Sequence, residues 1–356
     1  MKTLRLTIDP KHLETPEAGA ALDRAADILR GGGLVALPTE TVYGLGANAL
    51  DRAAVERIFA AKSRPAWDPV IVHVASQAML EGLVEPAAAS ETVQRLMEAF
   101  WPGPLTLLLP RSRAVPDAVT AGRPLVGVRM PSHTVALELI RRAGIPVAAP
   151  SANRFGHVSP TTAEHVLHDL DGRIDAVLDA GQSPRGVEST VLDPAPSPMS
   201  IYRPGAVTAE QIRDVAGPVE LLQDGERLQE APTEALPSPG VGLRHYAPRA
   251  RLVLIEAPFG ELGASLAEAA RVERAKRLGV MLPAGVRAPA EIAADRVYAW
   301  GKWDALEELA QRLYAGLRAL DGSGCTVILC PVPPAEGLGA AIRDRLEKAG
   351  NKGPKE

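Results

Sequence analysis

A chain of 356 residues, 46% hydrophobic and 23% charged, is long enough for two domains that each bury a core, and its composition excludes an intrinsically disordered protein. The formal net charge of −4 argues against a protein whose main partner is a nucleic-acid backbone, because such domains carry a clear basic excess. The charged start Met1-Lys2-Thr3-Leu4-Arg5 runs into Asp9, Lys11 and Glu14 without an apolar segment, and every apolar run is strand-sized; neither a signal peptide nor a membrane span is expected, and the location is read as cytoplasmic.

In chain order, residues 17 to 30 carry apolar side chains at helical spacing and stop at Gly31-Gly32-Gly33. A buried-type strand, 34 to 37, ends in Pro38. The segment PTETVYGLG then offers the hydroxyls of Thr39, Thr41 and Tyr43 before a Gly-x-Gly bend, at a strand's carboxyl end where ligand crevices form in α/β sheets. An ordinary turn is the competing reading. A helix over 51 to 61 opens on an Asp51 cap, and a strand at 70 to 74 and a helix at 90 to 100 follow. Further strands are expected at 104 to 109, 125 to 130, 146 to 149, 176 to 178 and 187 to 192. Strands so closely spaced predict a twisted mixed sheet with flanking helices over a first domain, 1 to 208.

Residues 209 to 249 read as a Pro-rich linker that nevertheless concentrates Arg244, His245 and Tyr246. From 250 to 356 strands and helices alternate: strand 251 to 255, helix 261 to 277, strands 278 to 282 and 296 to 300, helix 303 to 319, strand 325 to 330 and helix 338 to 349. This predicts a small, doubly wound, Rossmann-like α/β domain. Cys325 and Cys330, five apart in one apolar run, would face opposite sides of a strand and stay unbridged.

Several residues admit a plain structural reading beside a chemical one. Gly44-x-Gly46-x-x-Ala49 imitates a dinucleotide fingerprint, but TETVY separates it from the strand end and no carboxylate closes the next strand. Lys62 and Arg64 at a helix carboxyl end could complement its dipole or hold a polyphosphate. His73 inside PVIVHV could be a core histidine. Arg129 in a buried-type strand requires an anion. Thr161 and Glu164 fit a capping box. Thr106 reads as structural, and no spacing of His and Cys fits a zinc site.

The motifs KSRP at 62 to 65, PVIVHV at 69 to 74, WPGPLT at 101 to 106, VGVRMP at 126 to 131, APSAN at 149 to 153, VESTVLD at 187 to 193 and RPG at 203 to 205 come in the order of the YrdC-like family. With a further C-terminal domain the chain resembles its two-domain threonylcarbamoyl-AMP synthases. The resemblance implies L-threonine contacts at Thr41, His73, Arg129, Ala149 and Ser189. It implies ATP contacts at Arg64, Asp68, Leu125, Ser151, Ser159, Arg203 and Tyr246, with Lys62 and Arg64 acting on the phosphates. Relatives tend to carry Asn at the position of Asp68, and a carboxylate there has a donor that could help hold magnesium. At Leu125 many relatives carry a hydroxyl, so a contact here would run through the backbone.

On this resemblance the expected reaction joins L-threonine, bicarbonate and ATP into L-threonylcarbamoyl-AMP with release of pyrophosphate, with Mg²⁺ accompanying ATP. The product would pass to a transferase that modifies the adenosine next to the tRNA anticodon, and tRNA itself stands as a weak direct partner. The linker is expected to act as a lid. Two alternatives are an RNA-binding module and the carbamoyl-adenylate-forming relative of hydrogenase maturation. The threonine-pocket set argues against the first and the lack of zinc-finger cysteines against the second.

Overall fold

The computed structural model describes residues 2–222 and 246–350. They fall into two compact units. The first holds the residues up to Phe155, then Ser159–Pro184 and the residues from Glu188 to Leu222; the second holds Gly156–Val158, Arg185–Val187 and the residues from Tyr246 on.

The strands of the first unit are β1 (Leu4–Thr7), β2 (Val35–Leu37), β3 (Gly44–Asn48), β4 (Val72–His73), β5 (Leu105–Pro110), β6 (Leu125–Arg129), β7 (Val147–Ala148), β8 (Ala176–Asp179), β9 (Thr190–Asp193), β10 (Met199–Arg203) and β11 (Val219–Leu221). Its helices are α1 (Pro16–Arg30), α2 (Arg52–Lys62), α3 (Gln77–Leu83), α4 (Glu91–Phe100), α5 (Asp117–Thr120), α6 (Thr134–Ala143), α7 (Ala163–Leu170) and α8 (Ala209–Ala216). The strands pair in the order β1-β8-β2-β3-β7-β4-β6-β5-β9-β10-β11. β2 and β3 run antiparallel while β4 and β6 run parallel, so the sheet is mixed, as expected.

Period-two alternation gives the sheet two buried faces. Val35 and Leu37 join Leu22, Leu29, Leu139 and Ile140 of α1 and α6, whereas Leu34 and Ala36 join Val55 and Ile58 of α2 on the other face. Burying a Leu such as Leu22 or Leu29 completely contributes about 1.5–3 kcal/mol each before entropy is set against it. Helix starts follow the local chemistry: Thr15, Asp51, Ser76 and Ser90 each accept from a first-turn amide.

Three local expectations change. Gly44-x-Gly46 is no bend but part of β3, where a Cβ on Gly46 would lie 2.9 Å from Leu37 Cδ2. The glycine is there for close strand packing, and no phosphate-binding loop is formed. The cap of α7 is Thr162, which accepts from the His165 amide, one residue later than the box read at Thr161. Glu164 instead pairs with Arg5. Within the span read as linker, Ala209, Ile212 and Ala216 put an apolar stripe on α8, Gln211 forms a capping box with Thr208 just before the span, and β11 adds to the sheet beside β10.

The second unit contains β12 (Arg251–Ile255), α9 (Leu262–Val272), β13 (Leu278–Pro283), β14 (Val297–Gly301), α10 (Leu306–Gly322), β15 (Val327–Pro331) and α11 (Leu338–Gly350). Its strands form a parallel sheet in the order β12-β15-β13-β14. Cys325 precedes β15 rather than lying in it, and both cysteines are buried and unbridged. Burial raises the Cys330 thiol pKa, which keeps it inert.

Candidate active site

β4 and β6 run parallel with His73 directly opposite Arg129. The turn from β2 to β3 delivers Glu40 and Thr41 to the same place. That turn locks itself: Thr39 Oγ1 donates to the Val42 carbonyl at 2.6 Å and lies 2.8 Å from Thr41 Oγ1. Arg129 Nη1 donates to Thr41 Oγ1 at 3.0 Å. Its Nη2 stands 2.9 Å from Glu40 Oε1, a charge contact without hydrogen-bond alignment. Burial, with the charge of Arg129 beside it, pushes the His73 imidazole down to about 3, so it is neutral at physiological pH. Ala149 follows β7, which pairs with β4, and its amide donates to the Ile71 carbonyl at 2.9 Å.

The anion that a buried Arg129 requires is therefore present within the chain, as Glu40, a residue that the sequence reading did not single out. Its burial alone does not name an external ligand. Tyr43 is likewise reassigned: it is fully buried, and its hydroxyl donates to the Gly181 carbonyl at 2.7 Å, so it is structural.

A second group lies at the end of α2. Left-handed Ser63, with φ of 53°, stops the helix and turns Arg64 inward. Lys62 Nζ donates to the carbonyls of Ser151 and Asn153, at 2.5 Å each, rather than to its own helix. Simple dipole complementation is therefore not what this lysine does. Burial pushes its ammonium well below the usual lysine range, with the charge of Arg64 as the next cause. Arg64 donates to the carbonyls of Asp68 and Pro69 and pairs with Asp68 Oδ1 at 2.9 Å.

The third group centres on β9 and β10. Arg203 donates through Nε to the Ser189 carbonyl and through Nη2 to Ser189 Oγ, both at 3.1 Å, and Thr106 Oγ1 lies 2.8 Å from the same hydroxyl. Gly205 allows this approach, because a Cβ there would sit 2.3 Å from the Thr190 nitrogen. Ser159 donates to Glu188 Oε1 at 2.6 Å. Ser151 bridges to Gly44 of β3, and Leu125 at the start of β6 lines a small cavity with Pro69, Thr120 and Arg123.

Tyr246 belongs to the second unit. It adopts φ of 64°, stacks on Tyr314 with centroids 5.7 Å apart, and lies under the Arg345 guanidinium at 5.3 Å. Arg244, His245 and the lid expectation fall outside the described residues. Among the described residues no group of three or more His, Cys, Asp and Glu could hold a metal ion, and the Asp68 carboxylate is engaged by Arg64. The donor set does not fit a resident magnesium site.

The chain matches a family profile described as Telomere recombination over residues 27–205, and one described as Threonylcarbamoyl-AMP synthase, C-terminal domain, over 207–351. It is 44% identical over 354 residues to the threonylcarbamoyl-AMP synthase of Bacillus subtilis, covering 98% of each chain. To that of Pyrococcus abyssi it is 43% identical over 327 residues, covering 91% of this chain and 92% of the relative. This chain belongs to the threonylcarbamoyl-AMP synthase family. The crystal structure of P. abyssi Sua5 complexed with L-threonine matches with a TM-score of 0.87 at 40% identity, covering 98% of both chains. The expected fold class, a mixed YrdC-like sheet followed by a small α/β domain, is thus borne out, as is the family resemblance. Among the described residues no helix is long and apolar enough to cross a membrane.

Proposed function

We propose that this chain condenses L-threonine, bicarbonate and ATP into L-threonylcarbamoyl-AMP and pyrophosphate. The observation that carries the reading is the cluster of Arg129, Thr41 and neutral His73 on neighbouring elements, in a chain similar along nearly its whole length to synthases of that name. Arg129 would take the threonine carboxylate, with Thr41, His73, Ser189 and the Ala149 backbone orienting the rest.

The threonine amine and bicarbonate give a carbamate and water. A carbamate oxygen then bonds to the α-phosphorus as the bond to the β-phosphate oxygen breaks and pyrophosphate leaves. No enzyme nucleophile is needed, so positioning and charge neutralisation do the catalytic work. Lys62, Arg64 and Arg203 supply the positive side, joined by Ser151, Ser159, the Leu125 backbone, Asp68 and Tyr246 around the nucleotide. A triphosphate arriving beside Lys62 would favour its charged form, reversing the effect of burial. Magnesium enters as part of the ATP substrate, held by the phosphates. A tRNA-modifying transferase is the class of protein that would consume the product, and the two buried, unbridged cysteines fit a cytoplasmic setting.

The test is pyrophosphate release by the purified chain with each substrate withheld in turn. Release should need both L-threonine and bicarbonate. Equal release without threonine would mean that the chain is an ATP pyrophosphohydrolase and that the reading is mistaken.

A further inference from the structure

The amino-acid pocket contains a buried carboxylate that the reaction as written leaves without a task. Glu40 is 4% exposed, and among the described residues neither of its oxygens accepts a hydrogen bond. Its one close partner there is the charge of Arg129, 2.9 Å away. A carboxylate in this condition has lost its water and retains open lone pairs, which is costly unless a ligand fills them. An ammonium brings three N–H donors and a positive charge.

The surrounding charges sharpen the match. His73, opposite Arg129 on β4, is neutral because burial pushes its imidazole down to about 3. His133, which precedes α6 and feels the charge of Glu40, is also held below its usual range by burial. Arg129 and Glu40 therefore stand side by side, 2.9 Å apart, as a pair of opposite charges. A simple carboxylate would add a surplus negative charge to this balanced pair. A zwitterionic α-amino acid carries its two opposite charges on one carbon and adds none.

We propose that Glu40 is the ammonium-recognising residue of the amino-acid site, so that Arg129 and Glu40 together select a free zwitterionic α-amino acid over the same molecule lacking its amine. This rests on the reading of Arg129 as the carboxylate anchor. Glu40 and Arg129 release each other only to take up the matching ends of the substrate, and the empty pocket keeps both charges paired.

The test measures affinities of the full chain by calorimetry, with L-threonine and with 3-hydroxybutanoate, which is threonine without its amine. Glu40→Gln should weaken L-threonine by about thirtyfold or more, as expected for truncating one member of a buried charge pair, and leave 3-hydroxybutanoate unchanged or tighter. An equal loss for both ligands would show that Glu40 only positions Arg129, and an unchanged threonine affinity would show that it does not meet the amine; either result overturns the proposal. Arg129→Gln separates this failure from failure of the underlying reading, because it should weaken both carboxylates; if it weakens neither, the pocket is misassigned. If Glu40→Gln does not fold, the wild-type chain still decides: L-threonine should bind at least about tenfold more tightly than 3-hydroxybutanoate, and a smaller ratio rejects the idea.

Discussion

A guanidinium as buried as Arg129 stays charged, so its surroundings must answer that charge, and a single turn does so with the Thr41 hydroxyl as an acceptor and the Glu40 carboxylate as a countercharge. His73 shows the opposite outcome. An imidazole can escape the penalty by giving up its proton, and it does, which makes it a titration probe of the folded pocket. Its folded pKa of about 3 lies below the ordinary value of 6.5, so between these two values the unfolded chain binds a proton that the folded chain refuses. Stability must then fall as pH drops through that window, by up to about 1.4 kcal/mol per pH unit from this one group, and the term vanishes above the window. Denaturant titrations of wild type and His73→Gln near pH 6 and near pH 4 check this. The variant should lose less stability on acidification, and identical slopes would mean that His73 is hydrated or protonated in the fold. Arg129 stood out because a buried-type strand does not carry a guanidinium without an anion, whereas His73 and Ser189 were singled out for the site only through the family resemblance. Glu40 was not legible, since a lone acid in a Thr-rich turn looks like a solvated turn residue until the turn from β2 to β3 is seen to set it 2.9 Å from Arg129.

At the scale of elements, legibility followed amphipathic patterning. The alternation after residue 250 gave strands and helices that agree with β12 to β15 and α9 to α11 to within a few residues at most ends. In the first unit β3 was hidden because two glycines read as a bend, and α6 was hidden because His133 before it makes no side-chain cap. Glycine roles that sequence cannot separate become distinct once neighbours are known. Gly205 faces backbone atoms of Glu188, Ser189 and Thr190 within 2.6 Å of an added Cβ, whereas Gly82 in α3 faces nothing within 4 Å. Gly205→Ala should therefore push the strand-end loop off Ser189, costing about 1–3 kcal/mol as overpacking does, and depress product formation through the displaced Arg203. Gly82→Ala should instead be neutral or stabilising by about 0.5–1 kcal/mol, with activity untouched. Unfolding curves and steady-state rates on both variants make the comparison, and a Gly205→Ala protein with full stability and activity would contradict the close approach.

For the molecule as a whole, the residues read as holding L-threonine are drawn entirely from the first unit, while Tyr246, read as an ATP contact, belongs to the second. If the nucleotide reading of Tyr246 holds, the two substrates should respond differently to its loss. Tyr246→Ala in the full chain is expected to leave the threonine affinity within about threefold of wild type, less than 1 kcal/mol, and to raise the KM for ATP by more than tenfold. Its other role must be separated, because the ring also stacks on Tyr314 beneath Arg345 and such pairs contribute about 0.5–1.5 kcal/mol beyond their buried area. Tyr314→Ala supplies the control: it removes the stacking partner while keeping the Tyr246 hydroxyl. Both variants should lower the melting temperature, but Tyr246→Ala should damage ATP use more severely when rates are measured well below melting. If the two variants lose stability alike and retain the same KM for ATP, Tyr246 is a packing residue of the second unit and the nucleotide is held by the first unit alone.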